Sequence, residues 1–213
     1  MSMKLEHEYL PTVNELNDRL KVLVTMGIVM NSAEDAWLRV HSKVSGFEDE
    51  QVYQVDNGAG DSLFIVFADE GCIIKGFDHE SMFSPYVQDE FKPWPGIYDD
   101  VPQNLLAILD DSMFEKELVT FCIWNEATDP GWKIGDISNP NPGRYHDGRD
   151  HLIAYLHPTA ADYIDWAQEY YDTDLPLEAI EYLFSGGELT EEIIAGINPD
   201  RDAQEALLEY AVL

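Results

Sequence analysis

Three short runs of β-branched and aromatic residues in the first half of the chain constrain its fold more than any other feature. They read QVYQV, SLFIVFA and GCIIKGF, and the segments between them, DNGAGD and DEG, are rich in turn-forming residues. Strand-forming runs joined by such short turns predict a three-stranded antiparallel meander. Because SLFIVFA does not alternate between apolar and polar residues, we expect both faces of its strand to be covered.

Two helices are predicted before the meander. TVNE, residues 12–15, is a capping box followed by apolar residues at helical spacing, which predicts a helix to about residue 26. A second helix is predicted from residues 31–32 onward, with Trp37 and His41 on its inner face. We interpret His41 as a core histidine, because no neighbouring residue supplies a second metal donor.

The second half of the chain adds further elements. LVTFCIW, residues 118–124, predicts a fourth strand, and HLIAYL, residues 151–156, could supply a fifth. A short helix is predicted over 103–109, and four more follow, two of them capped by Thr159 and Thr190. We therefore predict an α+β fold in a single domain, 1–213, with an antiparallel sheet packed by N-terminal and C-terminal helices.

The cellular setting is predicted from charge and hydropathy. No apolar run approaches the length of a membrane span, and the first ten residues lack the basic and apolar pattern of a secretory signal. Cys72 and Cys122 each lie inside an apolar run, which indicates buried thiols and no disulfide framework. We expect a cytoplasmic protein with no membrane association.

The chain carries 42 acidic and 12 basic residues, a formal net charge of −30. This excess argues against nucleic-acid binding, which depends on Lys and Arg neutralising phosphate. Residues 151–213 hold 14 acids and a single base, Arg201. The C-terminal segment is therefore expected to form one strongly anionic side.

Seven of these acids fall at helical spacing on two outward-facing stripes, without an expected cation beside them. They are Asp162, Asp165, Glu169, Asp172, Asp202, Glu205 and Glu209. One interpretation is a solvated surface that serves solubility or salt adaptation; the other is a docking face for a basic protein. Adding salt would weaken docking, whereas removing salt would unfold a salt-adapted chain.

The stretch 78–101 has three prolines, many aromatic residues and no regular period. Either its aromatic side chains fold back as a lid over the sheet edge, which we favour, or they form an exposed patch. In the second case Phe83, Tyr86 and Trp94 would anchor a partner.

Two segments hold candidate metal ligands. In FDHES, residues 77–81, we favour closure of the strand by Asp78 and Ser81 over a working site. In YHDGRDHLIAYLHP, His146, Asp147, Asp150 and His151 are mixed nitrogen and oxygen donors that would suit Zn²⁺ or Mn²⁺. Their spacing matches no established motif, and we expect no cofactor.

The residues NGAGDSLFIVFADEGCIIKGFDHES, SPY and PWPGIYDDVP, within 57–102, resemble an uncharacterised bacterial family of small acidic cytoplasmic proteins. In general character the chain is also similar to bacterial immunity proteins that neutralise toxins. We therefore expect an acidic, non-enzymatic interaction protein, an immunity-like inhibitor of a basic partner. The alternatives are a metal-dependent hydrolase built on 146–157 and a domain whose charge serves solubility alone.

Overall fold

The computed structural model describes residues 3–4, 10–137 and 146–213. The strands are β1 (Met3–Lys4), β2 (His41–Val44), β3 (Gln51–Asp56), β4 (Ser62–Ala68), β5 (Gly71–Phe77), β6 (Phe121–Glu126) and β7 (Asp129–Ile134). The α-helices are α1 (Val13–Met30), α2 (Gln103–Ile108), α3 (Arg149–Ala154), α4 (Ala160–Tyr171), α5 (Leu177–Phe184), α6 (Glu191–Ile197) and α7 (Ala203–Tyr210). The predicted α+β class is confirmed.

The described strands form one sheet in the order β1-β7-β6-β5-β4-β3-β2. β3, β4 and β5 are the predicted meander, with Val52 opposite Val66 and Ile65 opposite Ile74 in antiparallel register. β6 is the predicted fourth strand and pairs with β5. In β4 every residue from Leu63 to Phe67 is buried, so both faces of this strand are covered as its sequence predicts.

Two element predictions are wrong. Residues 36–38 form a single 3₁₀ turn in place of the second helix, Trp37 is 78% exposed, and the chain then enters β2. HLIAYL contributes to helix α3, not to a fifth strand. HLIAYL is a short apolar run, and periodicity alone does not separate helix from strand at that length.

A strand was also missed. Residues 129–134, within a stretch whose Gly and Pro content indicates a loop, form β7 and pair with β6 through a register shift between Trp124 and Glu126. A proline is tolerated in a strand where its missing N–H is not needed by the ladder. The amino-acid composition therefore predicts too few strands for this sheet.

The described residues divide into two compact units, each assembled from separate stretches. Unit 1 comprises Met1–Leu16 and Lys43–Ala154, and unit 2 comprises Asn17–Ser42 and Tyr155–Leu213. The expectation of a single domain stays a prediction. Within unit 1, side chains of the 97–119 segment pack on one face of the sheet. Among them Leu105 and Phe114 join a cluster with Val66 and Trp124.

Local signals at the helix ends agree with the structure. Thr159 and Asp162 form a reciprocal capping box at α4, and Thr190 accepts a hydrogen bond from Ile193 N–H at α6.

Both cysteines are buried free thiols, as expected, and burial raises the pKa of Cys72 and Cys122. Among the described helices, none combines the length and apolarity that crossing a bilayer requires.

Unit 2 contains two buried histidines. The His41 Nε2–H donates to the Tyr155 carbonyl over 2.7 Å, which confirms His41 as a satisfied core residue. The ring of His157 lies 5.7 Å from that of His41, and its Nε2 has no hydrogen-bond partner among the described residues. Burial lowers the pKa of His41 to about 4; burial and then the nearby charge of His41 lower the pKa of His157 to about 3.

Acidification should therefore destabilise the protein before most carboxylates titrate. Between the ordinary histidine pKa and these lowered values the unfolded chain binds more protons than the folded chain, so stability is lost as pH falls. From about pH 7 to about pH 5 the free energy of unfolding should drop by roughly 2 kcal/mol per histidine. Urea unfolding at a series of pH values measures this slope.

His157→Asn is the control, since asparagine tolerates the positive φ of 36° at this position. Between about pH 7 and about pH 5 this variant should lose roughly 2 kcal/mol less unfolding free energy than the wild type. An unchanged slope would show that other groups cause the acid sensitivity.

Candidate functional site

The acidic stripe on α4 is partly structural. Asp162 closes the capping box at the helix start, and Asp172 ends the helix in a left-handed conformation. Asp165 and Glu169 are exposed and form no ion pair within the described part of the chain. These two carboxylates are the ones in the stripe that remain available to a partner.

The stripe on α7 differs from its prediction. Arg201, whose side chain is 2% exposed, pairs with Glu205 over 2.6 Å and also with Glu209, and Arg39 binds Glu209 over 2.7 Å. Asp202 caps the helix by accepting from Glu205 N–H. The expectation that these acids have no cation beside them is wrong for Glu205 and Glu209, because Arg201 lies four residues before Glu205 and the fold brings Arg39 to Glu209.

The 78–101 segment is divided between the two predicted arrangements. The Phe83 ring is buried and contacts Trp94 at 5.2 Å, and Trp94 and Tyr98 pack against the core of unit 1. The Tyr98 hydroxyl donates to the Lys116 carbonyl over 2.7 Å. This half of the segment forms the predicted lid, so Phe83 and Trp94 support the surface from beneath.

The other half is exposed. We define the apolar patch as Met82, Tyr86, Val87 and Phe91, which are 49%, 69%, 55% and 54% exposed. The Tyr86 ring lies 5.1 Å from Phe91 and 6.2 Å from Phe77 at the end of β5. A 3₁₀ turn, residues 85–87, holds Tyr86, and the buried Ser84 caps that turn by accepting from Tyr86 N–H.

Strand ends bring a second set of side chains together. Ser62 in β4 is paired with Phe77 in β5, so Asp61, which precedes β4, lies beside the residues that follow β5. The β5–β6 pairing brings Thr120 to the same end of the strands, where its hydroxyl accepts a hydrogen bond from Asp78 N–H. The candidate ligands lie at this end of strands β4, β5 and β6.

FDHES does close the strand, as we favoured. An Asp78 carboxylate oxygen accepts from Glu80 N–H over 2.8 Å, and the Ser81 hydroxyl donates to the His146 carbonyl. Gly148, with a φ of +86°, passes so close that a Cβ there would collide with the Asp78 carboxylate. The turn at 77–81 and the loop before α3 are thus packed together.

The histidine of this motif has a further contact. His79 Nδ1–H donates to Asp61 Oδ1 over 2.7 Å, and His79 N–H donates to the same oxygen over 2.9 Å. Asp61 is 5% exposed, and its other oxygen accepts from Asn57 Nδ2 over 2.8 Å. The hydrogen bond to Asp61 raises the pKa of His79; burial opposes ionisation of Asp61, but bonds from His79 and Asn57 outweigh it and lower its pKa.

We define the His–Asp cluster as Asp61, Asp78, His79 and His151. One potential ligand atom from each of the first three lies within 4.8 Å of the others. His151 Nε2, on α3, is 3.6 Å from Asp61 Oδ2. One imidazole and two carboxylates are thus mutually close, with the His151 imidazole beside Asp61, and borderline divalent cations accept nitrogen and oxygen donors of these kinds.

The predicted metal ligands separate in the structure. His151 lies at the His–Asp cluster, whereas Asp147 is held by Arg149, whose backbone N–H donates to its carboxylate over 3.1 Å. Burial raises the pKa of Asp147. Among the described residues, the ligand atoms mutually close enough to hold one ion come from Asp61, Asp78 and His79; His146 and Asp150 lie outside that group, and His151 approaches the Asp61 member of it. Asp61 was missed, because only strand register brings it to His79.

Comparison with family models, with curated proteins and with solved structures finds no match to this chain. The resemblance of residues 57–102 to a bacterial family, and the similarity to immunity proteins, stay predictions.

Arg201 should be a main electrostatic support of unit 2. Arg201→Ala removes a buried cation and leaves the carboxylates of Glu205 and Glu209 without it. The free energy of unfolding should therefore fall by about 3 kcal/mol. Lys21→Ala is the control, since Lys21 and its partner Asp18 are both more than half exposed. That change should cost at most about 1 kcal/mol. Equal losses in denaturant unfolding would contradict the assignment.

Proposed function

We propose that the protein is an acidic, non-enzymatic interaction protein that binds a basic protein partner, in the manner of an immunity-like inhibitor. The observation that carries this proposal is the apolar patch, in which the exposed rings of Tyr86 and Phe91 lie 5.1 Å apart, with Met82 and Val87 also exposed, in a segment whose other aromatic residues are packed. Monomeric proteins rarely expose such groups side by side without an interaction to cover them.

The apolar patch has the properties of an interface anchor. Phe83 and Trp94 fix the segment from beneath, and the turn at 85–87 fixes Tyr86. A partner therefore pays little ordering entropy on contact. Fully burying an exposed apolar side chain contributes about 1.5–3 kcal/mol, so Tyr86 and Phe91 together can supply at most about 3–6 of the roughly 8 kcal/mol that a micromolar affinity requires.

Charge determines the kind of partner. Asp89 and Glu90 lie in sequence between Val87 and Phe91 of the apolar patch, Glu90 is paired with Lys92 over 2.7 Å, and the chain as a whole carries a net charge of −30. A surface of this sign attracts basic proteins and speeds their association. An arginine or lysine of the partner would also find the exposed face of Tyr86, where cation–π contact is favourable.

The interaction surface that we propose uses fewer residues than the sequence predicts. Phe83 and Trp94 pack under the exposed residues and support them, while Glu205 and Glu209 form ion pairs with arginines. Tyr86 and Phe91 of unit 1 remain as the anchor. Asp165 and Glu169 of unit 2, which form no ion pair among the described residues, contribute to the anionic field that steers the encounter. The inhibitor would act by occluding a basic site on its partner, in the cytoplasm.

Paired variants test the anchor. The immobilised chain is used at low salt to capture basic proteins, and each captured protein is purified and titrated against the wild type and a Tyr86→Ser/Phe91→Ser variant. The double variant should weaken the dissociation constant about a hundredfold or more, and rising salt should weaken both. Trp37→Ser, which removes an exposed aromatic residue of unit 2, should leave it unchanged.

Asp165→Asn/Glu169→Gln tests steering separately. The association rate should fall several-fold at low salt, while the dissociation rate changes little. If no basic protein is captured, or if Trp37→Ser weakens binding as much as the patch variant, the proposal fails and the charge serves solubility.

A further inference from the structure

We propose that the His–Asp cluster is a binding site for one first-row divalent cation, of the class of Zn²⁺ or Mn²⁺. The site is independent of the partner surface described above, because it rests on different side chains. It also differs from the site that the sequence predicts, since it uses His151 but draws its other ligands from the turn before β4 and the end of β5.

The interatomic distances suit a single ion. Two ligand atoms bound at about 2.1 Å from one ion lie about 3–4 Å apart. Asp61 Oδ1 and His79 Nδ1 are 2.7 Å apart, and one potential ligand atom from each of Asp61, Asp78 and His79 lies within 4.8 Å of the other two. An ion between them would replace the proton that His79 Nδ1–H now donates to Asp61.

The ligands are held by the fold. Asn57 and His79 N–H fix the Asp61 carboxylate, and the Asp78 backbone is bound by Thr120, whose hydroxyl also donates to the Asp147 carbonyl. Gly148 leaves the space that the Asp78 carboxylate occupies. Outer contacts of this kind orient ligands before a metal arrives and strengthen binding.

The donor set also selects the cation. Carboxylates alone would suit Mg²⁺ or Ca²⁺, which prefer oxygen, whereas imidazole nitrogen favours transition metals. His79 and His151 are both about half exposed, so an ion can enter from solvent and keep positions for water. A bound ion would join the turn before β4, the end of β5 and the start of α3.

Direct titration tests the site. The full chain, stripped with chelator, is titrated with Zn²⁺ by calorimetry and with Mn²⁺ by electron paramagnetic resonance, in excess Mg²⁺ and at physiological salt. We expect about one tight equivalent. Asp61→Asn and His79→Gln should each weaken binding about a hundredfold, and His151→Gln about tenfold. Mn²⁺ should broaden the ring signals of His79 and His151 in NMR spectra.

Two controls separate this site from general attraction to an acidic protein. His146→Gln removes a nearby imidazole that lies outside the cluster, and Asp165→Asn/Glu169→Gln removes two unpaired carboxylates of unit 2; both should bind as the wild type does. If Asp61→Asn does not fold, Asp78→Asn replaces it. No saturable binding, or equal loss in control and cluster variants, would show a hydrogen-bonded turn without a metal.

Discussion

The register between β4 and β5 is the constraint on which both candidate surfaces of unit 1 depend. Pairing of Ser62 with Phe77 sets Asp61 beside His79, and the same strand end carries Phe77, against which Tyr86 packs. A slip of one residue would turn these side chains to the opposite face. Burial of β4 on both faces makes such a slip costly. The buried part of the strands therefore fixes the positions of the functional side chains in the loops at their ends.

Acidity serves two physical purposes in this chain. Some carboxylates stabilise the fold, as Glu205 and Glu209 do around Arg201 and as Asp162 does at a helix start. Others, such as Asp165, stay exposed and contribute to the field that a basic partner would meet. The net charge of −30 therefore does not measure the surface available for binding.

Sequence reasoning succeeds where local chemistry decides the outcome. The turns DNGAGD and DEG, the β-branched runs between them and the caps at Thr159 and Thr190 act over a few residues, and the structure confirms each of them. It fails at HLIAYL and at residues 129–134. In those segments the choice of helix or strand depends on which neighbour supplies hydrogen bonds and covers the apolar side chains.

The sequence by itself determined the meander, the acidic character and the presence of a histidine between two carboxylates at a strand end, because these follow from composition and from spacing along the chain. Tertiary structure alone decided that Asp61 meets His79, that Arg39 and Arg201 neutralise Glu209, and that Phe83 is buried while Tyr86 is exposed. The pairs that meet are separated by up to 170 residues, and no local pattern encodes a contact that forms only when distant segments pack.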